Sequence, residues 1–318
     1  MMLKKLIPAA ALLALTGAAQ AQVTVYGLVD VGMAKTTTED AAGTDASLKF
    51  GGNSTTRVGL KGSTDLGSGI KGNFQLETSA INIDGKLCAD AACTSNLMFG
   101  RQAWVGASGA FGEVRAGRQD SVAFQTMIGF DLNGAANTAS ASGAAGIDGG
   151  LLFGPLGTRS VQYIAPTVAG FKVQLGYQSA NTGALVTEDG SKASTGAGVT
   201  YTLGNLALAA TTTSKNKAAG DSSSAMAASY DFGVLKAAVN YSGSKGAKGT
   251  MYGVVAPVAG VNVGMQYAKN SDSKATGTEF FVNKEILKNT LVYADILSKK
   301  TGAGVKSDAY AVGVIYTF

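Results

Sequence analysis

In the stretch GFKVQLGYQ, residues 170 to 178, Phe171, Val173, Leu175 and Tyr177 alternate one for one with Lys172, Gln174, Gly176 and Gln178. A period of two is the signature of an extended strand with one apolar and one polar face. GVNVGMQY repeats it, with Val261, Val263, Met265 and Tyr267 against Asn262, Gly264 and Gln266. A polar face carrying charges cannot pack as a dry core, because unpaired buried charge costs too much. The apolar face must meet something apolar while the other stays wet.

Sixteen such segments recur, near residues 23–34, 55–63, 69–80, 97–108, 112–118, 159–166, 170–180, 193–203, 205–214, 222–231, 233–243, 248–256, 260–270, 276–285, 288–299 and 308–318. Most have the length of a tilted membrane strand, about 9 to 11 residues. Their connections alternate: short turns at 65–69, 108–112, 165–170, 203–205, 231–233 and 256–260, and longer polar loops at 35–54, 81–96, 119–158, 181–192, 215–221 and 300–307. Tight periplasmic turns opposite long extracellular loops are a property of bacterial outer-membrane barrels. The pattern predicts an all-β fold, a transmembrane antiparallel 16-stranded β-barrel. The chain stops on YAVGVIYTF, an apolar strand that would be an aggregation-prone edge if left open. An even strand number brings both termini to one end, so Phe318 is expected to pair beside Val23 and close the sheet.

Met1 to Ala21 opens with Lys4 and Lys5, continues through LIPAAALLALTGAA and ends in AQA, the form of a secretory signal removed on export. The β-barrel domain expected after it, residues 22–318, then has 318 minus 21, or 297, residues and a balance of 24 basic against 21 acidic groups. That surplus is too small and too dispersed for a nucleic-acid partner. No histidine is present, which removes histidine chemistry. GSGIKG and GASGAFG join strand to strand without a helix to hold a phosphate, so neither reads as a nucleotide loop. No enzyme, cofactor or metal is expected.

TRVGLKGSTDLGSGIKGNFQLE (56–77), FGRQAWVGASGAFGEVRAGRQ (99–119), RSVQYIAPTVAGF (159–171) and the terminal YTF together resemble the general porins of Gram-negative bacteria, specifically the betaproteobacterial type. The resemblance spans the mature chain. It implies a homotrimer in the cell outer membrane, in contact with outer-membrane lipid and lipopolysaccharide, passing small hydrophilic solutes and ions. It also implies a third extracellular loop folded inward to narrow the pore. The 119–158 segment, the longest loop, suits that role, since a structureless loop of such length is usually functional. The terminal Tyr316 and Phe318 resemble the signal read by the barrel-insertion machinery.

Residues of the narrowing follow from register. With Gly67 at the centre of its hairpin, paired positions sum to 134, which sets Arg57 opposite Glu77 and Lys61 opposite Asn73. Arg57 and Lys61 share the polar parity, and Arg101 stands at almost the height of Arg57. Arg57, Glu77 and Arg101 are thereby expected in one band near the midplane, with Arg159, on the parity of Val161 and Tyr163, a third basic candidate. The resemblance implies acidic partners on the inward loop, where Asp120, Asp131 and Asp148 are available. A lumen arginine opposite a glutamate can equally be a cross-strand pair that holds register. The balance of Arg57, Arg101 and Arg159 against one wall glutamate predicts a mild anion preference.

Tyr26, Trp104, Tyr177, Tyr267, Tyr310 and Phe318 read as interfacial girdle aromatics, Trp104 alternatively as a subunit contact. Cys88 and Cys93, in the second long loop, read as a loop-stapling disulfide in an oxidising compartment rather than as a metal site. Two other functions fit the same barrel: a substrate-specific porin, which would show a lumen ladder of aromatics or a denser basic track, and a structural or adhesive barrel closed by large loops.

Overall fold

The computed structural model describes residues 22–39, 45–88, 97–152, 156–180, 193–214 and 222–318. The expected signal, residues 1–21, lies outside them. Seventeen strands share one antiparallel sheet. Two of them, Ser47–Phe50 and β2 (Arg57–Gly67), pair with different parts of β1 (Gln22–Thr38), so they are the upper and lower pieces of a single wall strand. The wall therefore has sixteen strands, as the alternation predicts.

The others follow in chain order: β3 (Ile70–Glu77), β4 (Gln102–Gly109), β5 (Gly112–Asp120), β6 (Leu156–Ile164), β7 (Phe171–Gln178) and β8 (Ser194–Leu203). Then come β9 (Leu206–Thr213), β10 (Ser223–Asp231), β11 (Lys236–Ser242), β12 (Gly249–Val258), β13 (Val261–Asn270), β14 (Thr276–Leu287), β15 (Thr290–Lys300) and β16 (Lys306–Thr317). Each pairs with its sequence neighbours, and β16 pairs with β1 from Leu28↔Thr317 to Thr38↔Ser307. No edge remains, which is the condition for a sheet in lipid. No described helix is long and apolar enough to cross a membrane.

Closure differs from expectation in its partner. Phe318 exchanges backbone hydrogen bonds with Gly27, at 2.9 and 3.1 Å, whereas Val23 pairs with Gly62 on β2. Strand β1 overshoots the terminus because its first residues serve β2 alone. A Cβ on Gly27 would collide with the Phe318 ring and the Arg57 carbonyl, so glycine is what lets the last side chain lie across the seam.

The β2–β3 register also differs, by two residues. Gly59 faces Glu77, Lys61 faces Gln75 and Ser63 faces Asn73, because a bulge between Asp65 and Gly67 moves the two-residue turn to Ser68–Gly69. Positive φ at Gly67, Ser68 and Gly69 (88°, 53° and 75°) makes this tight reversal possible. A shift of two preserves parity, so every side chain keeps its predicted face.

Val105, Val161, Val173, Tyr177, Tyr252, Val263, Phe280, Ile296, Tyr310 and Val312 are exposed on the outer wall. Tyr177, Tyr267, Tyr310 and Phe318 belong to that face, as a girdle requires. Tyr26 and Trp104 do not. Tyr26 donates to Glu77, and Trp104, 6% exposed, donates to Gln102 and lies 4.3 Å beneath the Arg115 guanidinium. Both occupy the parity of lumen residues, and their rings are held by polar partners there rather than at the lipid interface.

The packed interior is the β5–β6 loop, which folds into the barrel. It carries α1 (Val122–Met127), a 3₁₀ turn at Ile128–Phe130, α2 (Ala141–Ala145) and α3 (Asp148–Leu151). Ser121 and Ser140 cap α1 and α2 by accepting from the amides of Phe124 and Gly143. Met127, Phe130, Ile147 and Leu151 pack on Ala209, Ala225, Ala227, Met251 and Ala268 of the wall. The loop, predicted as structureless, is thus ordered by a bed of small side chains, and it fills one half of the cross-section.

Candidate functional site

The opposite half stays open, as a cavity of about 740 Å³ between the loop and strands β2 to β5. Its wall side is Arg57, Gln75, Glu77, Arg101, Gln102 and Asp120. Arg57 begins β2, Glu77 ends β3 and Arg101 precedes β4, so three strand ends at one height supply the charges. Glu77 is the hub. Arg101 Nε donates to its Oε1 at 2.6 Å, Arg57 Nε stands 3.6 Å from Oε2, and the Tyr26 hydroxyl donates to Oε2 at 2.8 Å. Gln75 in turn donates to Tyr26, and Arg57 Nη1 donates to the Thr55 carbonyl at 2.7 Å. The carboxylate is buried, yet the side chains of Arg57 and Arg101 remain about a quarter exposed, 27% and 23%. One acid therefore holds two cations in place without covering them.

Asp120, where the wall turns into the loop, lines the same cavity, and its main-chain carbonyl is fixed by Gln125 and Gln162, both at 2.7 Å. Across the gap stand Ala136, Asn137, Ser140, Gly143 and the exposed Asp148 of α3. Five of the eight predicted pore residues, Arg57, Glu77, Arg101, Asp120 and Asp148, thus share one cavity. Lys61 lies lower on β2 and outside it, with its ammonium 5.1 Å from the Tyr26 ring centre. Arg159 is exposed on the outward parity of Val161, in a left-handed backbone conformation (φ 51°), and does not reach the cavity. The ladder is irregular between the Gly117–Ser160 and Gln119–Gly157 pairs, but this irregularity does not turn Arg159 into the cavity.

Asp131 is turned the other way, toward the wall, into a polar latch that sequence reasoning missed. Gln266 donates to Asp131 at 2.9 Å and to Glu279 at 3.2 Å, while Asn133 donates to Glu279 at 2.7 Å and to Asp295 at 3.2 Å. Asn53 donates to Asp295, the Ala141 amide to Glu279, and the Tyr293 hydroxyl to Asp30 at 2.8 Å. Asp30, Glu279 and Asp295 are at most 1% exposed. Carboxylates on lumen parity beside Phe281, Tyr293 and Leu297 are the available signal for such a latch: acids among apolar neighbours are buried only where amides come to meet them.

Cys88 ends a short strand that pairs Leu87–Cys88 with Ala80–Ile81, and it is disulfide-bonded. Cys93 lies outside the described residues. Among the described residues no cluster of His, Cys, Asp or Glu could hold a metal ion.

A family model described as Gram-negative porin matches residues 9–318. The chain is 31% identical to outer membrane porin protein 32 of Delftia acidovorans, over 92% of this chain and 89% of that one. It is also 31% identical to an outer membrane porin protein of Bordetella pertussis, over 75% and 69%. Among solved structures, an anion-selective porin from Comamonas acidovorans superposes with a TM-score of 0.75 at 26% identity, covering 94% of this chain and all of that one. OmpF of Salmonella typhi superposes with a TM-score of 0.69 at 19% identity, covering 93% and 97%, a likeness of fold alone.

Proposed function

Because the chain belongs to the Gram-negative porin family, and is therefore an outer-membrane channel for small hydrophilic solutes rather than an enzyme, we propose that Arg57, Glu77 and Arg101 facing Asp120 and Asp148 are its selectivity constriction. The observation that carries this is the shared carboxylate. Two lumen-exposed guanidinium groups, each anchored on Glu77, create a fixed positive surface beside a loop that leaves them only a narrow aqueous gap. Fixed charges in a water gap walled by low-dielectric protein act strongly on passing ions. Lys61, below the gap, extends the positive surface downward; with Arg159 outside the cavity, Glu77, Asp120 and Asp148 equal these three cations in number, but Glu77 and one Asp120 oxygen are buried while the arginines reach the lumen. The result is a weak anion preference, in keeping with the selectivity named for the Comamonas porin.

The working unit in this reading is a homotrimer in lipid with lipopolysaccharide on its outer side. Residues 1–21 are its export signal, Cys88–Cys93 staples the second loop, and Tyr316 and Phe318 present the insertion signal, Phe318 at the closing seam. Purified protein in a planar bilayer tests the core of this. Conductance steps in groups of three, with a zero-current potential of anionic sign in a salt gradient, are expected; an absence of conductance would refute transport, and single ungrouped steps would refute the trimer.

A further inference from the structure

Asn133 and Gly134 form the one Asn-Gly step in the chain, and it falls inside the latch that holds the inward loop. An asparagine followed by glycine is prone to cyclise on itself, because glycine carries no side chain to hinder its own main-chain nitrogen. That nitrogen attacks the asparagine Cγ, the Cγ–Nδ2 bond breaks, and ammonia leaves with the proton that the nitrogen loses. Water then adds to either carbonyl of the cyclic imide, which opens to aspartate or to isoaspartate. Water is the only co-reactant.

The surroundings of Gly134 admit this chemistry. Gly134 is exposed and lines the aqueous cavity, and a Cβ placed on it would meet nothing within 4 Å, so the ring and the water both have room. The backbone is left-handed at Gly134 and again at Ala135, with φ of 69° and 56°, a conformation that a residue with a side chain rarely adopts. The latched state holds the reaction back. The Gly134 amide donates to the Asp131 carbonyl at 3.2 Å, while the Asn133 side chain donates to Glu279 and Asp295 and accepts from Asn53. Cyclisation therefore waits until the loop lifts.

After it, the loop has no latch to return to. Asp131 and Glu279 share the Gln266 amide, Glu279 and Asp295 share the Asn133 amide, and among the described residues no ion pair reaches any of the three acids. Turning Asn133 into an acid removes a donor from both Glu279 and Asp295 and sets one more carboxylate beside them. Buried charge without a partner is what such a site cannot hold. Isoaspartate also adds a carbon to the main chain, which displaces the left-handed pair that follows.

We propose that Asn133 is a self-modification site, whose conversion to aspartate or isoaspartate permanently unlatches the inward loop. The proposal does not rest on the charged constriction, and its test does not use ion flow. Folded full-length protein is aged in detergent at mildly alkaline pH. Its peptides are scanned for the mass change of amide to acid and for isoaspartate by methyltransferase labelling, and limited proteolysis between residues 121 and 152 reads release of the loop. Wild type should gain isoaspartate at Asn133 ahead of every other asparagine and become cleavable in step with it. Gln266→Leu, which removes three hydrogen bonds between wall and loop, should be modified about tenfold faster, the effect on loop opening of losing a bond to a charged group. Asn133→Asp should be cleavable from the start, and Gly134→Ala should lose the modification. Aged wild type unchanged at Asn133, a Gln266→Leu rate equal to that of wild type, or an Asn133→Asp protein as resistant as fresh wild type overturns the proposal. The first of these readings decides the matter even if the variants do not fold.

Discussion

Replacing Arg57 and Arg101 together with serine removes both wall cations from the cavity and leaves Glu77, Asp120 and Asp148 facing it. Since 27% and 23% of the two side chains reach the lumen, their charges act on a passing ion through water rather than protein. At a separation of about 6 Å in water each contributes roughly 0.7 kcal/mol before screening. A Debye length of about 10 Å at 0.1 M salt leaves roughly 0.4 kcal/mol of this, and about 3 Å at 1 M leaves about 0.1. The two charges act with opposite sign on anions and cations. The anion-to-cation permeability ratio should therefore fall on the order of tenfold at 0.1 M but only about twofold at 1 M. Zero-current potentials across a bilayer, measured at several mean salt concentrations with a fixed gradient, read this directly, and the low-salt potential should change sign toward cations. Single-channel conductance should rise as the two side chains are shortened. A shift of equal size at both salt concentrations would refute the screening argument, and no shift at all would place the constriction elsewhere.

Overpacking the loop bed, as in Ala227→Leu beneath Met127 and Phe130, should cost about 1 to 3 kcal/mol and unseat the inward loop, giving larger and noisier channels and new protease cleavage between residues 121 and 152. An unchanged conductance would show that the loop does not set the pore width. Gly27→Ala should weaken closure at the seam, because its Cβ meets the Phe318 ring, and deletion of Phe318 should lower the amount of folded protein in the membrane; urea unfolding midpoints and heat-modifiable gel mobility check the two. Unfolded, unreduced protein should show no free thiol and two after reduction, and two thiols before reduction would exclude the staple between Cys88 and Cys93.

The barrel was legible because its cause is local. Lipid on one side and water on the other impose a period of two on each strand, so Phe171, Val173 and Leu175 against Lys172 and Gln174 declare their faces without knowledge of any neighbour. Parity also survives error: the two-residue slip in the β2–β3 hairpin moved the partner of Glu77 from Arg57 to Gly59, yet left Arg57, Lys61 and Glu77 in the lumen. The band of Arg57, Glu77 and Arg101 could therefore be read from strand ends at a common height.

What depended on the shape of the loop could not. Asp131 and Asp148 are both aspartates in a polar loop, and only the folded path of α1 to α3 turns one toward Gln266 on the wall and the other into the cavity. The same holds for Trp104, whose sequence position fits a girdle, whereas the lumen side offers its ring the Arg115 guanidinium and its indole N–H the Gln102 carbonyl. The alternation of this chain determined by itself a sixteen-stranded wall with named inner and outer faces, since a strand's two sides are set by backbone geometry. Only the tertiary structure decided which half of that wall the loop covers, because that choice rests on contacts between residues far apart in sequence: small side chains on β9, β10 and β13 that admit the loop, and the acids of β14 and β15 with the loop amides of Asn133 and Ala141 that latch it.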